Sequence, residues 1–134
     1  MEVKQVGLIE GDEFGAEQCL SLFRRLRLGH LSVSVRGLPV VVPVPYAVDD
    51  CGFLIGISEQ DIASAMNRNV VALQSDAWDD DVERRWTVLA VGIPVPATVE
   101  QEPPPCGDKI VPNPWQAPHV FRLQAQALSG RWID

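Results

Sequence analysis

Three cysteines and two histidines, Cys19, Cys51, Cys106, His30 and His119, carry the side chains most suited to nucleophilic, redox or metal chemistry. Their number is odd for disulfides and none shares C-x-x-C spacing. Two scattered histidines add no ligand cluster, which argues against a zinc site. No nucleophile lies beside a base, and no carboxylate pair has acid–base spacing, so no catalytic residue is assigned. The conspicuous positions are ones that shape a surface. In the run Gly29–Asp49, Pro39, Pro43 and Pro45 punctuate an otherwise β-branched stretch that ends at Tyr46. Proline has no backbone N–H and is normally excluded from a central strand. Three in one strand remove a row of donors. That pattern predicts a protected edge, a bulge, or the wall of a site against which something flat packs.

The elements positioning these residues can be read along the chain. Residues 1–11 predict an arm or a short first strand around Val6–Ile9. From Ala16 to Leu28 the apolar positions Cys19, Leu22, Phe23 and Leu26 recur at helical spacing. Arg24, Arg25 and Arg27 suit the end of that helix and a solvated face, and Gly29 is expected to cap it. Residues 30–36 alternate as a strand, Arg36-Gly37 supplies a turn, and Val40–Val44 return. Asp49–Gly52 reads as a second turn, Phe53–Ile57 as a buried strand, Gln60–Asn67 as one or two helical turns, and Val70–Gln74 as a strand. The acidic run Asp76–Glu83 predicts a loop in which Trp78 is a lid or an interface anchor. Trp86–Gly92 begins a long strand that extends toward Val99. Glu100–Pro118 is a proline-rich excursion, and His119–Leu128 is the final strand, followed by Ser129–Trp132.

These elements predict a mainly β fold, a six- to seven-stranded antiparallel split β-barrel with one or two short helices, as a single domain over residues 1–134. The hydrophobic content of 46% and charged content of 22% are those of an ordinary globular chain. A formal charge of −7 disfavours nucleic acid and anionic membrane surfaces. No secretory apolar region opens the chain and no stretch is long enough to span a bilayer, so the expected setting is the cytoplasm.

The segment Gly29–Asp49 resembles the pyridoxamine 5'-phosphate oxidase-like flavin-binding split barrels. Their comparable stretch runs G-R-L-A-x-x-x-x-G-x-P-x-V-x-P-V-N-Y-x-x-D. Gly29, Leu31, Gly37, Pro39, Pro43, Val44, Tyr46 and Asp49 match it, while His30 replaces Arg and Pro45 replaces Asn. Further matches extend the resemblance over nearly the whole chain: Glu17–Leu22, Val71–Asp76, Trp86–Gly92, Pro114-Trp115 and Leu128–Arg131. The resemblance implies a homodimer packed barrel to barrel, with flavin mononucleotide (FMN) in clefts at the interface. It also implies that Pro43, Val44, Pro45 and Tyr46 border the isoalloxazine ring. Ile57 and Ser58 then lie near the ribityl phosphate, and Trp86 and Thr87 approach from a neighbouring strand; Ser129-Gly130-Arg131 either reaches the other subunit's pocket or caps the final strand. Read from the residues alone, Tyr46 is a half-buried strand tyrosine, and Trp86 a core or interface residue.

One stretch departs from the family. Where members read F-R-T-x-x-G-x-K, with the Arg and Lys meeting the phosphate, this chain has Gly56–Ile62; Ile57 takes the Arg position and Asp61 lies near the Lys. A carboxylate about 6 Å from a phosphate costs on the order of 3 kcal/mol per charge pair at an effective dielectric near 20. Three expectations follow. The first is an FMN-binding oxidoreductase-like dimer of unknown substrate with a degraded phosphate motif. The second is a non-catalytic binding or structural dimer that has lost flavin. The third is a binder of another flat cofactor, a deazaflavin or a haem, with His30 or His119 as axial ligand.

Overall fold

The computed structural model describes residues 14–97 and 114–133, together with the backbone of Lys4 and Gln5. In chain order these form β1 (Lys4–Gln5), α1 (Ala16–Phe23), β2 (Leu28–Val35), β3 (Leu38–Asp49), β4 (Gly52–Ile57) and α2 (Gln60–Met66). They continue as β5 (Val71–Asp79), β6 (Arg84–Gly92), β7 (Pro94–Pro96), a single 3-10 turn (Pro114–Gln116), β8 (His119–Leu123) and β9 (Ala127–Trp132). The expected strand around Val6–Ile9, the possible extension to Val99 and Cys106 lie outside the described residues. Among the described residues no helix is long and apolar enough to cross a membrane.

The strands form one sheet in the order β1-β9-β6-β5-β2-β3-β4-β8-β7, antiparallel except for β1 beside β9. Its two ends are made by the same two runs of chain. β7 continues β6 across Ile93, and β9 continues β8 across residues 124–126. β6 pairs with β9 while β7 pairs with β8, and Gln126 N–H donates to the Val91 carbonyl at the corner. Two bent strands therefore join the sheet to itself, giving the mainly β split barrel predicted from the chain. Gly92 sits at this corner because a Cβ there would meet the Gln124 carbonyl oxygen at 2.7 Å.

The barrel interior is filled from alternating positions. Leu31, Val33, Val44, Tyr46, Phe53, Ile55, Leu73 and Val88 all point inward and are buried. Phe23 from α1 packs edge-on to Phe53 and Tyr46, with ring centroids 4.8 and 5.8 Å apart. Gly130 makes room for α1, since a Cβ would meet Phe14 and Val88 carbons at 2.8 and 2.9 Å. α2 buries Ile62, Ala63 and Met66 and packs against β2.

Several local expectations shift. The first helix ends at Phe23, and Gly29 is not its cap but the second residue of β2. A Cβ on Gly29 would lie 2.8 Å from the Gln74 carbonyl oxygen, so close packing on β5 is what selects glycine. The acidic run is not a loop throughout: Asp76 and Asp79 belong to β5, and residues 80–83 alone make the turn, with Asp79 accepting from the N–H groups of Asp81 and Val82. The expected last strand is two, bent between Leu123 and Ala127, and Ser129–Trp132 lie within β9.

Candidate functional site

The β2–β3 hairpin explains its own prolines. Arg36 and Gly37 have φ of 51° and 83°, the two positive values of a two-residue I′ turn. In such a hairpin the flanking pair, Val35 and Leu38, is hydrogen-bonded, and bonded and non-bonded pairs alternate away from it. Ser34↔Pro39, His30↔Pro43 and Leu28↔Pro45 then all fall on non-bonded positions. The N–H each proline lacks would have pointed away from β2. On that side β4 pairs only with Tyr46–Asp49, and no described strand pairs with residues 38–45. Among the described residues the prolines therefore line an open edge. It exposes the carbonyls of Pro39, Val41 and Pro43, with Val41 the one N–H donor among them.

The nine residues expected at a cofactor site divide sharply. Val44, Tyr46, Ile57 and Trp86 have their side chains in the buried core. The Tyr46 hydroxyl donates to the Phe23 carbonyl at 2.6 Å and lies 3.3 Å from Ser75 Oγ. Burial pushes its pKa up to about 12, against a smaller lowering by the Ser75 hydrogen bond. Ser58 is exposed, between the end of β4 and α2. Pro43, Pro45, Thr87 and Arg131 project from the outer face of the sheet. Along that face Gln74 Nε2 donates to Thr87 Oγ1 at 3.2 Å, and Thr87 sits opposite Arg131 across β6 and β9.

Arg131 carries the feature of most chemical interest. Its Nε is buried and has no hydrogen-bond partner. A guanidinium nitrogen removed from water without an acceptor carries a desolvation cost of about 1–3 kcal/mol or more. Nothing on β9 or β6 offsets it. The position is one that an oxygen-rich group from outside the chain would complete.

Position on the sheet separates the two halves of this outer face. Pro43 and Pro45 lie on β3, whereas Arg131 lies on β9, four strands away in the order β9-β6-β5-β2-β3. At about 4.8 Å per strand they are roughly 19 Å apart along the sheet. A flat ring held at β3 does not reach Arg131 of the same chain. His30 and His119 lie on β2 and β8, on either side of the β3–β4 pair in the sheet order. Among the described residues no group of three His, Cys, Asp or Glu side chains is placed to hold a metal ion.

The model of the family described as pyridoxamine 5'-phosphate oxidase matches residues 15–132. The chain belongs to this family. Its described elements, from α1 to β9, lie almost entirely within that match. Among solved structures it is similar to the FAD binding protein from Mycobacterium smegmatis, at 21% identity and a TM-score of 0.67, covering 90% of this chain and 96% of that one. It is similar to a FAD-binding protein from Mesorhizobium loti at 25% identity and a TM-score of 0.65, over 89% of this chain and 93% of that one. The FAD and haem binding protein from Mycobacterium smegmatis shares the fold at 11% identity and a TM-score of 0.65, over 93% of this chain and 74% of that one. No curated protein matches the chain.

The split between core and outer face was only partly legible in the chain. Period-two alternation already separates Pro43 and Pro45 from Val44 and Tyr46. The Gln74–Thr87–Arg131 row is not legible there as a whole, because Gln74 becomes a neighbour of Thr87 only through the β5–β6 register.

Proposed function

We propose that this member of the pyridoxamine 5'-phosphate oxidase family binds a flavin nucleotide, FMN, on the outer face of its sheet, between two copies of the chain. The observation that carries the reading is the buried Arg131 Nε with no partner, on the same outer face as Thr87. Family membership and similarity to FAD-binding proteins support a flavin in preference to another oxygen-rich ligand. The distance of four strands between Pro45 and Arg131 supports a composite site. One copy gives the apolar wall of Pro43 and Pro45, and the other gives the donors of Arg131 and Thr87.

The ring end of such a site fits the residues present. Pro43 and Pro45 present rigid apolar rings, and Arg131 and Thr87 supply donors to polar ring atoms. At the end of β4 the fit is poorer. Ile57 is in the core, and Glu59 and Asp61 follow the exposed Ser58. When bound, the flavin supplies hydride and electron transfer, and the chain holds the ring and excludes water from its buried face. The two carboxylates after β4 favour one second reading, a dimer of the same fold that binds no flavin.

Titrating riboflavin, FMN and FAD with purified protein and following the quenching of flavin fluorescence tests the proposal, alongside light scattering for the dimer. Saturable quenching and a dimeric mass are expected. A monomer, or an absence of quenching at millimolar flavin, would sink it.

A further inference from the structure

On the opposite side of the barrel wall from the prolines, a recess of about 490 Å³ lies between α2 and the β7–β8 pair. It sits where β4 and β7 end and β8 begins, at one mouth of the barrel, a place where such folds commonly hold small molecules. Alternation puts His119 on the same side of β8 as Phe121 and Leu123, which are core residues, and it pairs with Ile57 at the end of β4. The recess therefore belongs to the inner side of the wall, whereas Pro43, Thr87 and Arg131 project outward. Ala63 and Phe121 form its floor and are 6% and 5% exposed. The polar side chains around them stand in a hollow and not on a flat solvated face.

Those polar side chains converge from two elements. Gln60, Ser64 and Asn67 fall at i, i+4 and i+7, along one face of α2 and its C-terminal cap, about 10 Å from end to end. His119 stands across from them on β8. All four keep hydrogen-bonding capacity. Gln60 Nε2 donates to Ser64 Oγ at 3.1 Å, leaving the Gln60 carbonyl oxygen and the Ser64 hydroxyl hydrogen to act outward. Among the described residues nothing engages the Asn67 amide or the His119 imidazole. The described lining contains no Asp, Glu, Lys or Arg, in a chain whose formal charge is −7. Pro96, Pro118 and Phe121 supply flat apolar sides. Neutral donors and acceptors between such walls suit a ligand that is planar, uncharged and able both to donate and to accept. An ion would lose its hydration there without gaining a counter-charge.

We propose that this recess binds an uncharged heteroaromatic amide or lactam. Its ring lies between the prolines and Phe121, and its polar edge meets the side chains of α2 and His119. The site is separate from the outer face and independent of the flavin reading.

The test uses nicotinamide as the probe and the two histidines of the chain as reporters. His119 is in the recess, and His30 is exposed on β2. Proton NMR of the full chain at about pH 8, above the ordinary range of an imidazole, follows both rings. His119→Gln assigns their signals. Nicotinamide should displace the His119 signals saturably, with a Kd of about 1 mM or tighter, and leave those of His30 in place. Gln60→Ala and Asn67→Ala change exposed positions, and a loss of about threefold to tenfold at either supports the proposal. Nicotinate, the same ring with a carboxylate, should bind about tenfold more weakly or worse. That contrast is read on the unaltered chain, so it stands whether or not a variant folds. The absence of a saturable shift at His119 overturns the proposal, as does an equal shift at His30. Nicotinate binding as tightly as nicotinamide overturns it too, and so do two folded variants that both bind nicotinamide unchanged.

Discussion

The two halves of β3 are one continuous strand with opposite demands. Residues 38–45 have β2 on one side and an open edge on the other, whereas Tyr46–Asp49 are flanked by β4. All three prolines of the strand fall in the first half and none in the second. The second half instead spends its polar groups inside the protein. Tyr46 N–H donates to the Arg27 carbonyl, the Tyr46 hydroxyl to the Phe23 carbonyl, and Asp49 pairs with Arg122 at 2.6 Å. A strand can therefore be donor-poor along part of its length and fully bonded along the rest. The division falls where the second neighbour begins. An open edge whose N–H groups have been removed cannot recruit a further strand, yet it remains available as a flat wall.

The comparison is tested most severely by moving a proline by one residue. Val44 is buried and its N–H faces Gly29, so Val44→Pro removes a ladder bond and should destabilise by about 3 kcal/mol or more. Urea denaturation should show a collapsed midpoint, and a midpoint close to the unaltered protein's would mean the inferred alternation of bonds is wrong. Arg122→Met tests the closed half. Arg122 is 7% exposed, and removing it leaves Asp49 with the Cys51 N–H as a hydrogen-bond donor but without its cation, at a cost of about 2 kcal/mol. Calorimetry that found the variant unchanged would show the pair to be dispensable.

Tyr46→Phe removes the shorter of two donors to the Phe23 carbonyl, leaving the Leu26 N–H at 3.2 Å, and should cost about 1 kcal/mol. The same residue predicts a pH dependence. Its pKa is raised from 10.0 to about 12 in the folded protein, so folding disfavours the phenolate. The contribution is complete below pH 10, where both states hold the proton. It is lost progressively as pH rises from 10 through 12, because the unfolded chain releases the proton first. In Tyr46→Phe that component of the alkaline decline should vanish, and an unchanged slope would assign it elsewhere.

The smallest effect is expected on the open half. Pro43→Val and Pro45→Val restore N–H groups toward solvent and should change stability by less than about 1 kcal/mol, mostly through the unfolded chain. Their consequence should appear in light scattering as association beyond the mass of the unaltered protein, since the edge regains its donors. Variants that unfold would place these prolines in the fabric of the fold.

Much of this architecture is legible in local chemistry. Arg36-Gly37 between alternating β-branched runs specifies the hairpin, and Gln60–Met66 carries its own helical spacing. Local chemistry misleads where a distant contact decides. Gly29 looks like a helix cap, but it is glycine because the Gln74 carbonyl of β5 passes within reach of a Cβ. Ser129–Trp132 look like a tail after the last strand, but the bend at residues 124–126 carries them back to pair with β6. Asp76 and Asp79 look like loop residues because acidic side chains rarely occupy strands. They are strand residues at a hairpin whose Trp78 and Arg85 stand opposite each other.

By itself the chain determined the hairpin turn, the inward and outward rows of each strand and the pattern of missing donors. Turn geometry and alternation depend only on neighbours in sequence. Tertiary structure alone decided that the missing donors face an open edge, because that depends on where β4 stops pairing. It decided that Gln60, Ser64, Asn67 and His119 share one recess, which needs α2 brought beside β8. It also set Arg131 four strands from Pro45. The reason is common to all three: side-chain direction follows from the pleat, but what occupies that direction is chosen by strand order and register.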